Sequence, residues 1–324
     1  MTGTPTAHDD TGQTGPGETP AQLGQYPPET HLIAHLSDTH FLGNGADGAG
    51  RLLYGSADTD STVHRAMEQL EESGLEPDAL VFTGDIADRG EPAAYRRVRD
   101  IVEASAERMG ARLIWVMGNH DERAAFRTEL LREPADETPI DSVVDLHGLR
   151  IISLDTSVPG YHHGEITADQ LHWLADVLSE PAEHGSVLAL HHPPLPTPLA
   201  LMSILELREQ DSLAEAIRGS DLRAILGGHL HYATTGLFAG IPVSVAAATC
   251  YTIDAAAPRR ELVGRDGGQS INLVHVYADQ IVHSNVPLGR FDVVTRMDSD
   301  YLARMEGLSY TGRQEAFSKH SPME

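Results

Sequence analysis

Lysine is almost missing from this chain: Lys319 is the only one in 324 residues. Arginine does little to offset the lack, because 23 basic side chains face 48 acidic ones, for a formal net charge of −25 at pH 7. A surface so charged repels polyanions and has no basic track, which excludes a protein that grips a nucleic acid polymer. A small anion remains acceptable where bound cations dominate the local field. Cysteine is nearly missing too, Cys250 being the single one. An internal disulfide and a zinc–thiolate cluster are thereby excluded, which fits a reducing compartment. The Ala-rich surroundings of Cys250 point to a small buried residue, not a reactive thiol. No apolar run is long enough to span a bilayer, and the first fifty residues carry neither Lys nor Arg nor the hydrophobic stretch of a secretory signal. The expectation is a soluble, cytoplasmic protein.

Residues 1–30 are rich in Thr, Gly, Pro and Gln and poor in large apolar side chains. They cannot offset the entropy of ordering, so a disordered arm is expected there. From His31 onward short apolar runs appear at Leu32–Leu36, Ala79–Phe82, Leu113–Met117, Arg150–Leu154, Val187–Leu190 and Leu222–Leu226. Between them, residues 59–73, 91–109, 167–180 and 211–219 place apolar side chains at helical spacing, as Val98, Ile101 and Val102 do. Strand and helix in alternation predict an α/β fold. The stretch from Thr234 to Leu288 reads differently, with strands at Pro242–Ala247, Ile271–Tyr277 and Gln280–Val286 and little helix, and it predicts a second sheet closing the core. The domain so bounded covers 31–289, and 290–324 form a polar, mixed tail to which the sequence assigns no role.

Potential metal ligands fall just after the apolar runs. Asp38 and His40 follow the first, Asp85 the second, Asn119 and His120 the third, His191 the fifth, and His229 and His231 the last. In an open α/β sheet the loops at the carboxyl ends of the strands converge, so these groups are brought to one edge. Gly84, Gly118, Gly227 and Gly228 stand immediately before several of them, and a residue without Cβ permits a tight turn. Asp38 with His40, and His229 with His231, would face one side if their segments are extended. Nitrogen and oxygen donors without sulfur suit Mn, Fe or Zn. Seven donors exceed the needs of one tetrahedral ion, whereas two ions sharing a carboxylate would use them all.

The ordered blocks Asp38-Thr39-His40, Gly84-Asp85 with Asp88, Gly118-Asn119-His120-Asp121, His191-His192-Pro193-Pro194 and Gly228-His229-Leu230-His231 resemble the calcineurin-like metallophosphoesterase superfamily. Asp155-Thr156-Ser157 with Pro159-Gly160, and Ala246 to Tyr251, are similar to the actinobacterial class III cyclic-nucleotide phosphodiesterases. The resemblance implies two packed mixed sheets flanked by helices, an α/β/β/α sandwich. It implies two divalent or mixed-valence metal ions, the first held by Asp38, His40, Asp85 and His231 and the second by Asp85, Asn119, His191 and His229. The implied substrate is a small phosphodiester such as 3′,5′-cyclic AMP, attacked by a hydroxide bridging the metals, with His120 as the proton donor to the leaving group. A homodimer is implied as well.

Gly84-Asp85-Ile86-Ala87-Asp88-Arg89-Gly90 also resembles the signature of serine/threonine protein phosphatases, which makes phosphomonoester hydrolysis the main rival activity. Against it, Asp121 stands where those phosphatases carry glutamate. A binding module that kept the fold and lost catalysis would show missing ligands, and none of the seven is missing. Asp88 and Asp121 are expected to orient ligands or cap turns. His35, His64, His172 and His184 are read as packing or surface residues, His162 and His163 as loop residues, and His192 as pointing away from the ligands.

Overall fold

The apolar runs alternate because each strand has two different layers to face. In this computed structural model, which describes residues 22–45 and 50–320, thirteen strands occur among the described residues. In chain order they are β1 (His31–Leu36), β2 (Ala79–Thr83), β3 (Arg112–Val116), β4 (Ser142–Leu146), β5 (Leu149–Leu154), β6 (Ser186–Leu190), β7 (Leu222–Gly227), β8 (Thr234–Phe238), β9 (Ile241–Val245), β10 (Thr252–Ile253), β11 (Gly264–Arg265), β12 (Ser270–Val276) and β13 (Ile281–Pro287). A five-stranded sheet runs β13-β12-β1-β2-β3, a six-stranded sheet runs β4-β5-β6-β7-β9-β8, and β10 pairs with β11. Both large sheets are mixed: β1, β2 and β3 are parallel, as are β5, β6, β7 and β9, while β12, β13, β4 and β8 run antiparallel to their neighbours.

Ile33, Val81 and Ile114 of the first sheet pack against Ile151, Val187 and Leu226 of the second. Their chain neighbours point the other way. Leu80, Phe82 and Trp115 meet α1 (Thr59–Ser73) and α2 (Pro92–Met109). Beyond α3 (Arg123–Phe126), Ile152, Leu188 and Ile225 meet α4 (Ala168–Val177) and α5 (Gln210–Ala216). The period of two in each strand thus builds a four-layer sandwich of helix, sheet, sheet and helix. Local signals set the helix limits. The Asp58 carboxylate accepts the amide of Ser61 at the start of α1, and a capping box of Thr167 and Gln170 opens α4.

The late strands differ from expectation in where they go. β12 and β13 extend the first sheet beside β1, and β9 with β8 completes the second, so the second sheet is built mainly from the middle of the chain. Parallel β1 and β2 leave one edge of β1 open, and an antiparallel partner covers it without a further crossover.

Among the described residues, contacts divide the chain into Glu29–Arg290, which holds both sheets, and a smaller unit that takes in residues 22–28 and 291–320. Of the expected disordered arm, residues 1–21 lie outside the described residues. Residues 290–324, left without a role by the sequence, contain α6 (Ser299–Glu306) and α7 (Tyr310–Arg313). Within the smaller unit Leu23, Tyr301, Met305 and Phe317 help to line a cavity of about 490 Å³.

Ile151 is fully buried between the sheets, away from the strand ends where the polar groups gather. Ile151→Ala is expected to lower the unfolding free energy in urea by about 2–5 kcal/mol. Metal stoichiometry measured on the folded variant should stay that of the unaltered chain.

Candidate metal centre

The carboxyl ends of two sheets, not one, supply the polar groups. Asp38, Asp85 and Asn119 follow β1, β2 and β3, while His191 follows β6 and His229 and His231 follow β7. All but the half-buried Asn119 are buried. One oxygen, Asp85 Oδ2, lies 3.4 Å from His40 Nε2 and 3.3 Å from His191 Nε2. His231 Nε2 is 3.3 Å from Asp38 Oδ1 and 3.2 Å from His40 Nε2. Asn119 Oδ1 is 3.0 Å from His191 Nε2. Asp38, His40, Asp85 and His231 bring one donor atom each to within 4.8 Å of one another.

The backbone reaches this arrangement by an unexpected route. Asp38 (φ 53°), His40 (φ 45°), Asp85 (φ 50°), His229 (φ 68°) and His231 (φ 57°) all adopt left-handed backbone conformations. The two pairs are therefore not on extended segments, and their convergence comes from the turned backbone. Such residues cost roughly 1–3 kcal/mol each and gather where function overrides local preference. Gly84 turns as expected (φ 92°), whereas Gly118 and Gly228 do a different job. At Gly118 a Cβ would collide with the amide of Asp85, and at Gly228 with Ser37 Oγ, so these positions provide close approach while the neighbouring polar residues take the strained turns.

The outer nitrogen of each central imidazole is committed. His40 Nδ1 donates to Asp88 Oδ1 (3.1 Å), His191 Nδ1 to the Thr83 carbonyl (2.7 Å), His231 Nδ1 to the Tyr251 carbonyl (3.0 Å) and His229 Nε2 to the Leu205 carbonyl (3.0 Å). Carboxylates and carbonyls only accept, so each of these nitrogens carries its proton outward and the other can offer a lone pair inward. That is the pattern by which metal-binding histidines are held.

Protons alone leave the centre crowded. Burial would depress His231, yet Cys250 and the Asp38 carboxylate outweigh it and lift it to about 10. Burial likewise opposes His191, but Asp85 and Asp38 raise it to about 9. His40 is lifted well above its ordinary value against burial by Cys250, Asp85 and Asp88. Burial would raise Asp38 and Asp85; His231 brings the first down to about 2, and His191 and His120 hold the second well below the carboxylate range. Three charged imidazoles so close repel each other, and two of them would face nitrogen to nitrogen. Divalent cations between these donors would relieve that repulsion, and the oxygen and imidazole set suits them.

The calcineurin-like phosphoesterase pattern matches residues 31–233. A cAMP/cGMP dual specificity phosphodiesterase of Mycobacterium tuberculosis is 51% identical over 308 residues, spanning 93% of this chain and 95% of its own length. The chain belongs to the calcineurin-like phosphoesterase family. A probable cyclic nucleotide phosphodiesterase of Rhodococcus erythropolis is 50% identical over 281 residues, 86% of this chain and 91% of that one. A dimetal phosphatase from Danio rerio shares the phosphoesterase fold with a TM-score of 0.57 over 81% of this chain and 97% of its own, at 14% identity.

In this phosphoesterase His120 stands at the rim. Its amide donates to Asp85 Oδ1 (2.8 Å) and its Nδ1 to the Asp88 carbonyl (2.9 Å). Burial lowers its pKa. Asp121 accepts the amides of Ile86, Ala87 and Gly118 and the Tyr95 hydroxyl, tying the Asp85 and Asn119 loops together. Cys250 is buried, with Sγ 3.8 Å from His231 Nδ1.

Two residues set aside by the sequence reading sit closer than expected. His192 does not point away: its ring lies 4.5 Å from that of His229 and 4.9 Å from that of His191. Thr156 Oγ1 and the His162 carbonyl occupy both its nitrogens, and burial with His229 drives its pKa well down, so it packs as a neutral ring. His162 Nδ1 is 2.9 Å from Asn119 Nδ2 and its ring 4.7 Å from that of His120. Its signal was positional, since it follows β5 at the same edge as the other groups.

At pH 7 His191 and His231, raised to about 9 and about 10, are protonated in protein stripped of metal. Loading should therefore release protons and weaken as pH falls. Calorimetric titration with Mn²⁺ in buffers of different ionisation enthalpy reads the number directly; release near zero would contradict this account.

Proposed function

We propose that this chain is a dinuclear-metal phosphodiesterase acting on 3′,5′-cyclic nucleotides, cyclic AMP among them. The observation that carries the reading is Asp85 Oδ2, set within 3.4 Å of His40 Nε2 and 3.3 Å of His191 Nε2, each of which belongs to a different cluster of donors. The names of the relatives that are 50–51% identical over most of their length support the cyclic nucleotide as substrate. Asp38, His40, Asp85 and His231 would hold one ion, and Asp85, Asn119, His191 and His229 the other. Mn, Fe or Zn would suit these donors.

Two ions so held supply Lewis acidity toward a phosphoryl oxygen and make water a stronger acid. The protein does the rest. Asp88, Thr83, Tyr251 and Leu205 hold the four imidazoles at fixed tautomers. His120, with Nδ1 donating to Asp88 and its side chain 27% exposed, offers Nε2 to the cleft as the proton donor for a departing ribose alkoxide. With its pKa lowered and Nδ1 holding the proton of the neutral ring, Nε2 must first take up the proton it donates. Asn119 Nδ2, held against His162, can steady a phosphoryl oxygen.

The full chain loaded with Mn²⁺ is expected to prefer 3′,5′-cyclic AMP and a bis-aryl diester over an aryl monoester, with Asn119→Ala removing the activity. A monoester preference would assign it to the phosphatase branch. Asp85→Ala should lose both metal and turnover; an active, metal-replete variant would rule out the shared carboxylate. His120→Ala should keep its metal and lose about 10²–10⁴-fold in kcat on cyclic AMP, and much less on a nitrophenyl diester whose leaving group needs no proton. Equal losses on both would remove His120 from that role.

A further inference from the structure

Beside the metal centre a cleft of about 250 Å³ opens between Asn119 and His120 on one side and the segment Ser157–His162 on the other. We propose that this cleft is the nucleobase subsite and that Tyr161 is the face on which the base stacks. The proposal rests on the phosphodiester reading of the centre and adds to it where the uncharged end of the substrate lies.

Tyr161 has the properties of a platform. Val158-Pro159-Gly160-Tyr161 form a tight turn closed by the Tyr161 amide donating to the Val158 carbonyl (2.9 Å), with Pro159 second and Gly160 third at φ 80°. Those positions match a type II turn, whose geometry leaves little freedom to the residue it presents. The turn is anchored from below. Arg123 donates to Asp155 Oδ2 (2.9 Å) and to the Ser157 carbonyl (3.0 Å), and Asp155 Oδ1 accepts both the amide (2.8 Å) and the hydroxyl (2.6 Å) of Ser157. The ring of Tyr161 leans on that of His163 (5.3 Å between centroids) and is still 61% exposed. A rigid, exposed aromatic costs little entropy to use for binding.

The charge of the cleft selects what can lie against that ring. Glu122 and Glu137 stand on its wall. Arg123 is spent on Asp155, Ser157 and the Glu137 carbonyl, and Arg89 leans toward Asp88 (3.5 Å). A second phosphate would meet the carboxylates of Glu122 and Glu137 with the exposed guanidinium of Arg89 to offset them, whereas a flat neutral ring loses nothing there. Stacking reads a π face and not an edge, so adenine and guanine should both be accepted.

The test is calorimetric binding of adenosine 5′-monophosphate and of ribose 5-phosphate to the metal-loaded full chain, for the unaltered protein, Tyr161→Ala and Tyr161→Phe. These ligands share the phosphate and the sugar, so the ratio of their Kd values isolates the base. The unaltered chain should bind the nucleotide about tenfold or more tightly, Tyr161→Phe should keep the ratio, and Tyr161→Ala should bring it to within about twofold. Equal binding in the unaltered chain, an undiminished ratio in Tyr161→Ala, or a ratio lost equally in Tyr161→Phe would overturn the proposal. Binding is read without turnover, so a chain that fails to hydrolyse cyclic nucleotides would disprove the catalytic reading separately.

Discussion

Everything at the strand ends is arranged around the carboxylate of Asp85. One of its oxygens faces His40 and His191, and the other accepts the amide of His120. For a single group to do this, the end of β2 in one sheet must meet the end of β6 in the other. The register of the stacked sheets is thereby coupled to the chemistry. Asp121 reinforces the coupling from behind by gathering three backbone amides from the loops that bear Asp85 and Asn119. Burial, with the charge of Asp85, pushes the Asp121 carboxyl up to about 7, a measure of how tightly these two acids are confined.

Confinement of this kind explains how a chain with a net charge of −25 can attract an anion at all. The surface repels polyanions, and the attraction is local, concentrated where buried carboxylates and imidazoles would hold divalent charge. A substrate must be small enough to enter that local field before the surface matters.

Much of the candidate centre was legible because its proposed ligands are side chains and side chains are written in the sequence. The blocks from Asp38 to His231 are separated by long helices, yet each follows an apolar run, and that relation survives folding. What could not be read was carried by backbone. The acceptors that orient His191, His231 and His229 are the carbonyls of Thr83, Tyr251 and Leu205, and any residue type could provide a carbonyl. The left-handed turns at Asp38 and Asp85 are equally silent, because positive φ is uncommon for any residue with a Cβ and nothing in the neighbouring sequence marks it. Among the strands, β4 and β8 escaped the pattern, as did the two-residue β10 and β11. Ser142–Leu146 is mostly exposed and Thr234–Phe238 lies at a sheet edge, so neither needs the apolar side chains that marked the others.

Those turned candidate ligands also limit how the proposed centre could ever be rebuilt. Among residues with a Cβ, Asn, Asp and His are the ones most often found with positive φ, and they are also oxygen and imidazole donors. At Asp38, His40, Asp85, His229 and His231 a replacement must satisfy both demands at once. Thiolate or a longer carboxylate could answer the coordination and still fail the backbone. The alphabet of this centre is therefore short for conformational reasons as much as for chemical ones, and efforts to retune its metal preference have more room in the outer partners, such as Asp88, than in the donors themselves.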